Sequence, residues 1–265
     1  MLLIENLEIC FDDGRDVVRA VNGISFELLS GESLAIIGES GSGKTVSALS
    51  ILDLVPPSGK VVRGRMLYRG KDLRQLPREH LSRIRGDKIA MVCQSPLSCL
   101  CPVFTVRSHL TSILRRLYPE MGRLSRYHKI LELVKATGLM EERNVLSSYP
   151  FELSGGLAQK VQIAMAIAGR PDVLIVDEPT SDLDVVSQGQ VLGILRDLRD
   201  RLGFSIVLIT HNVAIAHPLC DKVIVMKEGR IVEEGSTLNT LTNPQTDYTR
   251  RLIEASRLLS WSSPV

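Results

Sequence analysis

A glycine-rich segment near the start of the chain has the residue types that bind phosphate. It reads Gly38, Glu39, Ser40, Gly41, Ser42, Gly43, Lys44 and Thr45. Glycines let backbone N–H groups turn inward around phosphate oxygens, the lysine reaches the terminal phosphates, and the threonine offers its hydroxyl to Mg²⁺. An apolar run at 33–37 precedes the segment and a helical pattern at 45–54 follows it. This strand–loop–helix order predicts a site that binds and hydrolyses ATP.

Two carboxylates follow a second apolar run. Asp177 and Glu178 come directly after the β-branched and apolar residues 173–176. In an open α/β sheet, ligands bind at the carboxyl ends of the strands. We expect Asp177 to hold Mg²⁺ through water and Glu178 to polarise the attacking water, because phosphoryl transfer needs mainly positioning and charge neutralisation. Alone, the pair could equally be a surface feature; the glycine-rich segment favours catalysis.

A third motif, Leu-Ser-Gly-Gly at 153–156, precedes a helical pattern at 158–168. Its Ser154, Gly155 and Gly156 could form another helix N-terminus that binds an anion. By itself the motif could also be a plain capped helix. Its place after a charged, helical middle region and just before the carboxylate strand favours the functional interpretation.

Together these motifs resemble the ATP-binding subunit of ABC (ATP-binding cassette) transporters, and the resemblance covers roughly the whole chain. It implies further roles. Gln94 resembles the Q-loop glutamine, which contacts Mg²⁺ and senses the membrane partner, and His211 resembles the switch histidine, which touches the γ-phosphate. With Glu178, these two form the expected catalytic set. Asp184, in the segment resembling the D-loop, and Phe11, where the family has an aromatic residue stacked on adenine, are expected to contact the nucleotide.

The resemblance implies an α/β fold: a P-loop NTPase (RecA-like) core with an antiparallel β subdomain and an inserted α-helical subdomain. The expected bounds are an ABC ATPase domain over 1–235, with its core at 1–94 and 161–235 and its helical subdomain at 95–160, followed by a C-terminal helical tail over 236–265. From the residues themselves, the apolar runs 223–226 and 230–232, split by Glu228 and Gly229, predict a hairpin.

The resemblance also implies that the site is shared between two subunits. Two chains face head to tail, and each places Ser154 to Gly156 on the γ-phosphate bound by the other. The expected partners are a second, related ATPase subunit, two membrane-spanning permease subunits and, indirectly, an extracytoplasmic substrate-binding protein. The expected location is peripheral, at the cytoplasmic face of the inner membrane.

Composition excludes several other classes of protein. A net charge of +2 and an aromatic content of 4% argue against nucleic acid as a partner. Five cysteines, an odd number, argue against a disulfide framework and fit a reducing cytosol. No apolar stretch approaches the ~20 residues that cross a bilayer, and the start of the chain lacks a secretion signal. We therefore expect a soluble chain that docks on a membrane-spanning partner.

Several segments narrow the resemblance to the peptide/nickel importer ATPases. They are 149–156, 102–106, Asn243 with Pro244, and Tyr248 with Thr249. Residues 182–186 resemble the nickel-import member, so the sequence slightly favours nickel or a metal chelate over di- or oligopeptides. The family's usual residues are replaced at Ala158, Lys160, Asp182 and Asn212, which removes no catalytic group.

A function of another class is also compatible with these motifs. ABC-type ATPases that dock on a soluble enzyme complex, such as the one for phosphonate breakdown, resemble the same subfamily. An ABC ATPase of DNA repair or translation would need a long coiled-coil insert or a second cassette, and this sequence has neither.

Overall fold

The computed structural model of the chain describes residues 1–12, 14, 16–139 and 144–261. The chain divides into two compact units. The first comprises Met1–Ser82 with Ser205–Val265, and the second is Arg83–Phe204. The domain bounds expected from the sequence remain predictions.

The described chain contains both strands and helices. The strands are β1 (Leu2–Asp12), β2 (Val17–Leu28), β3 (Ser33–Ile37), β4 (Gly59–Tyr68), β5 (Lys71–Asp72), β6 (Ile89–Val92), β7 (Val173–Asp177), β8 (Ser205–Thr210), β9 (Lys222–Lys227) and β10 (Arg230–Ser236). The α-helices are α1 (Lys44–Ile51), α2 (Arg78–Ile84), α3 (Val106–Leu117), α4 (Arg123–Ala136), α5 (Gly155–Ala166), α6 (Val185–Leu202), α7 (Val213–Ala216), α8 (Thr237–Thr242) and α9 (Asp247–Trp261).

The first unit contains an antiparallel sheet in the order β2-β1-β4-β5. Strand β1 alternates buried apolar residues with more exposed ones and buries Leu2, Ile4, Leu7 and Ile9 completely. Such alternation is typical of a sheet with one face on the core. The antiparallel β region expected from the resemblance is therefore present, although the sequence alone did not predict β4.

The same unit contains strands in the order β10-β9-β3-β8, of which β3 runs parallel to both β8 and β9. Every residue of β3 and β8 is buried, which explains their uninterrupted apolar runs. Strands β9 and β10 pair antiparallel, so the predicted hairpin is confirmed. The helix after the glycine-rich segment ends at Ile51, three residues before the predicted end at Leu54.

The second unit pairs β6 with β7 in parallel and contains helices α3 to α6. Side-chain caps mark three helix starts: Thr105 accepts the N–H of Ser108, Ser154 accepts the N–H of Leu157, and Asp184 caps α6. Helix α6 ends at Leu202, and the following Gly203 caps it with a φ of 73°, in the left-handed region. Helices α3 and α4 confirm the helical character predicted for the middle region.

The described chain beyond residue 236 forms two helices, α8 and α9, as predicted, and both belong to the first unit. Tyr248, Leu252 and Ile253 of α9 are buried. The end of the tail, residues 262–265, lies outside the described residues.

Candidate functional site

The glycine-rich segment, called the phosphate loop below (residues 38–45), connects β3 to α1 in the first unit. Lys44 is 6% exposed, and its ammonium donates to the carbonyl oxygens of Gly38 and Glu39, each at 2.8 Å. The lysine therefore lies along the inside of the loop, where its charge is aimed at the position that a phosphate would take.

Glycine is required at two positions of the phosphate loop. A Cβ at Gly38 would lie 2.2 Å from the carbonyl oxygen of Met226, and one at Gly43 would lie 2.3 Å from that of Ala20. Both residues also have positive φ, 152° and 98°. The backbone packs so closely against its neighbours that any side chain would displace the loop. These contacts fit a cradle made of backbone N–H groups.

Helix α1 begins at Lys44, at the end of the loop, so its N-terminal N–H groups and its positive dipole end face the same region. Thr45, in the first turn, is exposed and carries a hydroxyl oxygen. Oxygen ligands of this kind suit Mg²⁺. The residues present therefore fit a magnesium nucleotide.

His211 leaves the sheet at the same edge as the phosphate loop. Ile37 and Thr210 are register partners in the parallel pair β3–β8, so Gly38 and His211 each follow the last residue of neighbouring strands. His211 is exposed at this edge. The structure thus brings the predicted switch histidine to the loop side of the first unit.

Phe11 lies near the end of β1 and is half-buried. Its ring packs on Gly59, where a Cβ would come within 2.8 Å of two ring atoms. One side of the ring is therefore covered by the start of β4. The predicted contact of Phe11 with adenine remains a prediction.

The carboxylates lie at the end of β7 in the second unit, where Val92 of β6 and Val176 of β7 are register partners. Gln94 and Glu178 therefore follow at the same sheet edge, two residues beyond that pair. Asp177 is 2% exposed and Glu178 is 8% exposed. Glu178 has a φ of 46°, which is costly for a residue with a side chain and typical of functional positions.

A cavity of about 220 Å³ brings three of the predicted motifs of the second unit together. It is lined by Gln94, Ser95, Pro96, Leu97, Gly155, Gln159, Glu178, Pro179, Ser181, Asp182 and Leu183. Gln159 was not predicted as a site residue. Its amide nitrogen is buried and has no hydrogen-bond partner among the described residues. Sequence reasoning could not have found this, because a glutamine inside a helix carries no local signal.

The segment after Glu178 is held by hydrogen bonds from within its own unit. Gln188 of α6 donates through its amide to the carbonyl oxygens of Thr180 at 3.1 Å and Leu183 at 3.0 Å. The Ser181 hydroxyl donates to the Glu178 carbonyl oxygen at 3.2 Å. Leu183 in turn packs on the start of α5, 3.3 Å from the place that a Cβ on Gly155 would take. The carboxylate, the D-loop-like segment and the Ser-Gly-Gly helix end therefore pack as one piece.

Asp184 has a structural role that the sequence did not reveal. One carboxylate oxygen accepts the N–H groups of Val186 and Ser187, each at 3.0 Å, and the other accepts the Ser187 hydroxyl at 2.6 Å. These bonds, led by that of the Ser187 hydroxyl, hold the pKa of Asp184 below its usual value. Its predicted contact with nucleotide remains a prediction.

Two cysteines beside Gln94 form a second feature that the sequence did not predict. The Cys93 and Cys99 thiols are hydrogen-bonded, and this bond lowers the pKa of Cys99 to about 6. The same bond raises the pKa of Cys93, and burial and the negative charge of Asp177 raise it further. Only the fold brings these two thiols together, so the pair could not be predicted from the sequence.

The described residues contain no cluster of three or more His, Cys, Asp or Glu side chains that could hold a metal ion by themselves. Among the helices described, none combines the length and the apolar character needed to span a membrane.

The fold and the phosphate loop define the class of protein: a P-loop ATPase with an α/β core. Within that class, the sequence profile of the ABC transporter family matches residues 21–181. The chain therefore belongs to the ABC transporter family, as one of its ATP-hydrolysing subunits, and the resemblance drawn from the motifs is confirmed.

Several curated proteins are similar over almost the whole chain. A probable peptide ABC transporter ATP-binding protein of Sinorhizobium fredii is 39% identical over 96% of this chain and 76% of its own length. The dipeptide transport ATP-binding protein of Bacillus subtilis is 38% identical over 96% and 76%. A peptidoglycan transport ATP-binding protein of Agrobacterium fabrum is 42% identical over 96% of this chain, which spans about half, 47%, of that relative.

Two solved structures have the same fold. One is a dimeric ATP-binding cassette in a post-hydrolysis state bound to ADP and Pi, with a TM-score of 0.79 and 27% identity over 89% of this chain and 99% of that one. The other is a dimeric bacterial ABC transporter cassette with a TM-score of 0.80 and the same identity and coverage. The predicted P-loop NTPase fold is thereby confirmed.

Proposed function

We propose that this chain is the ATP-binding subunit of a bacterial peptide importer, which hydrolyses magnesium-bound ATP to drive uptake through separate membrane subunits. The observation that carries the ATPase site is the strained, buried Glu178 at the end of β7, in one cavity with Gln94 and Gly155. Such a constellation suits a carboxylate that orients water for attack on a phosphate.

The predicted catalytic and metal-binding residues each have a role in this proposal. Lys44 would neutralise phosphate charge, and Mg²⁺ would neutralise the remainder through oxygen ligands from Thr45, Asp177 and Gln94. Glu178 would orient the attacking water. His211 would contact the γ-phosphate and Phe11 the adenine, as the family resemblance implies.

A head-to-tail dimer would complete the site. Ser154 caps α5, so the N–H groups of the first helical turn, beginning at Gly155 and Gly156, lie at a helix N-terminus suited to a phosphate. We propose that they act on the nucleotide of a second, related ATPase subunit. The dimeric descriptions of the two similar structures support this arrangement. The further partners would be two permease subunits at the cytoplasmic face of the membrane and, indirectly, a substrate-binding protein.

Peptide is favoured as cargo because the relatives from Sinorhizobium and Bacillus described above are named for peptide and dipeptide transport. The sequence favoured nickel or a metal chelate on residues 182–186. In the structure, the Asp184 side chain of that segment caps α6, so this residue type has a local structural explanation. Nickel remains the alternative cargo.

The ATPase site is tested by the change Glu178→Gln in the full chain. This variant keeps the size of the side chain and removes its charge, so ATP should bind within about twofold of the wild-type affinity. Phosphate release should fall by about a hundredfold or more, the usual contribution of a positioned catalytic carboxylate. Binding is followed by fluorescence of a labelled ATP, and turnover by phosphate release.

The matched control is Glu120→Gln, which makes the same charge change at an exposed residue between α3 and α4. This control should hydrolyse ATP at the wild-type rate. Wild-type turnover by the Glu178 variant would show that another group activates the water.

A further inference from the structure

Tyr248, near the start of α9, contacts the phosphate loop. Its hydroxyl accepts the backbone N–H of Glu39 at 3.1 Å and donates to the carbonyl oxygen of Met226 at 3.4 Å. The side chain is buried, and the Lys227 ammonium lies 5.3 Å from the centre of its ring. The hydroxyl thus has both a donor and an acceptor partner, one of them in the loop.

The Glu39 N–H belongs to the same peptide unit as the Gly38 carbonyl, which accepts from the Lys44 ammonium at 2.8 Å. One peptide plane is therefore held from both sides, by the lysine at its oxygen and by the tyrosine at its nitrogen. A backbone at glycine rotates readily, so this peptide is the place where the loop could turn over. Rotation of the plane would break both bonds.

Tyr248 lies near the start of α9, and hydrogen bonds hold that end of the helix in place. Glu233 of β10 accepts the N–H groups of Gln245 at 2.8 Å and Thr246 at 3.0 Å, and also the Thr246 hydroxyl. Burial alone would raise the pKa of Glu233, but these bonds, with that of Thr249, outweigh burial and hold the pKa below its usual value. The carboxylate therefore remains charged at neutral pH and fixes α9 to the edge of the sheet.

We propose that Tyr248 is a positioning residue for nucleotide binding: its hydroxyl fixes the Gly38–Glu39 peptide and so keeps the phosphate loop in its binding shape. This inference rests on the proposed function of the loop as the ATP site. It makes the C-terminal helix, which lies outside the expected ATPase domain of 1–235, a determinant of ATP affinity.

The test is the change Tyr248→Phe in the full chain, which removes only the hydroxyl. The matched control is Tyr118→Phe. Tyr118 lies in the second unit and donates its hydroxyl to the carbonyl oxygen of Ala168 at 3.2 Å. Both changes remove one buried or half-buried hydroxyl bonded to a backbone carbonyl, and only the first touches the phosphate loop.

We expect the Kd for ATP to rise about fivefold in the Tyr248 variant, since a net hydrogen bond is worth about 1 kcal/mol. The KM for ATP should rise equally while kcat stays within about twofold, because the tyrosine does not touch the reacting phosphate. The unfolding midpoint should fall no further than in the Tyr118 variant, whose ATP affinity should match the wild type.

Unchanged ATP affinity in the Tyr248 variant, or equal weakening in both variants, would overturn the inference. If the wild-type chain bound no ATP, both the proposed function and this inference would be wrong. The two failures are therefore distinguishable by the wild-type measurement alone.

A second variant tests whether α9 acts through the tyrosine. Glu233→Ala releases the start of α9 and should weaken ATP binding about threefold, a smaller loss than that of the full hydroxyl contact. In the double variant with Tyr248→Phe, the Glu233 change should add nothing further. If it weakened the Tyr248 variant as much as it weakens the wild type, the coupling through Tyr248 would be disproved.

Discussion

At the scale of single residues, the site depends on backbone geometry as much as on side-chain chemistry. Gly43 shows this most clearly, because its φ of 98° and the 2.3 Å approach of the Ala20 carbonyl oxygen both exclude a Cβ. The residue types of the phosphate loop could be read from the sequence. The reason for Gly38 and Gly43 lies in neighbours that are distant in the chain.

The change Gly43→Ala should therefore reduce ATP affinity by more than about tenfold, because strain of this kind costs about 1–3 kcal/mol and shifts the loop. The control is Gly189→Ala on the exposed face of α6, where a Cβ meets nothing within 4 Å. That change should raise the free energy of unfolding by about 0.5–1 kcal/mol and leave ATP binding unchanged. Urea unfolding measures the stability of each variant, and ATP titration measures its affinity for ATP. Wild-type ATP affinity in the Gly43 variant would contradict the close packing described.

The Cys93–Cys99 pair leads to a prediction about pH. A thiol reacts as its thiolate, so alkylation of Cys99 by iodoacetamide should reach half its maximal rate near pH 6, the value of its pKa. A free thiol titrates near pH ~8.5 and would be largely unreactive there. Mass spectrometry of peptides alkylated between pH 5 and pH 9 gives the profile of each cysteine.

The change Cys93→Ala removes the hydrogen bond that stabilises the Cys99 thiolate. The midpoint of Cys99 alkylation should then move upward, toward that of a free thiol. A wild-type midpoint well above pH 7, or a midpoint that is the same in both proteins, would show that the thiols are not paired as described.

At the scale of elements, the sequence predicted best the strands that are buried on both faces. Strands β3 and β7 match the apolar runs predicted at 33–37 and 173–176, and their starts were predicted to the residue, since every position in them is buried. Strand β4 was missed. Most of its residues are exposed or half-buried, and it is held by pairing with β1 rather than by an apolar pattern.

The contact between α9 and the phosphate loop could not have been predicted from local patterns either. Tyr248 and Glu39 are 209 positions apart, and the tyrosine was noted only as part of a family motif. The motifs identified which residues belong to the site. The partners that orient those residues, such as Gln188 for the D-loop-like segment, come from tertiary packing.

At the scale of the whole molecule, the proposed function predicts which proteins the chain binds. Solubilised from membranes of its source cells with a mild detergent, the tagged chain should co-purify with a second ATPase subunit and with hydrophobic, multispanning proteins. Cells that lack the chain should lose uptake of a labelled tripeptide and keep uptake of radioactive nickel. Complementation with the Glu178→Gln variant should fail and with Glu120→Gln should succeed.

The alternatives give different results. Loss of nickel uptake with normal tripeptide uptake would establish the cargo that the sequence first favoured. Co-purification with a soluble enzyme complex and no membrane protein would support the other functional class, an ATPase serving an enzyme assembly.

The bonds that Gln188 and Ser181 make around the segment after Glu178 limit how the chain can change in evolution. The carbonyl oxygens of Thr180 and Leu183 share one amide donor, and Leu183 fills the space beside Gly155. An inserted or deleted residue would misalign all of these contacts at once, whereas a substitution would disturb one. Between the catalytic carboxylate and α6, the chain should therefore tolerate changes of residue type more readily than changes of length.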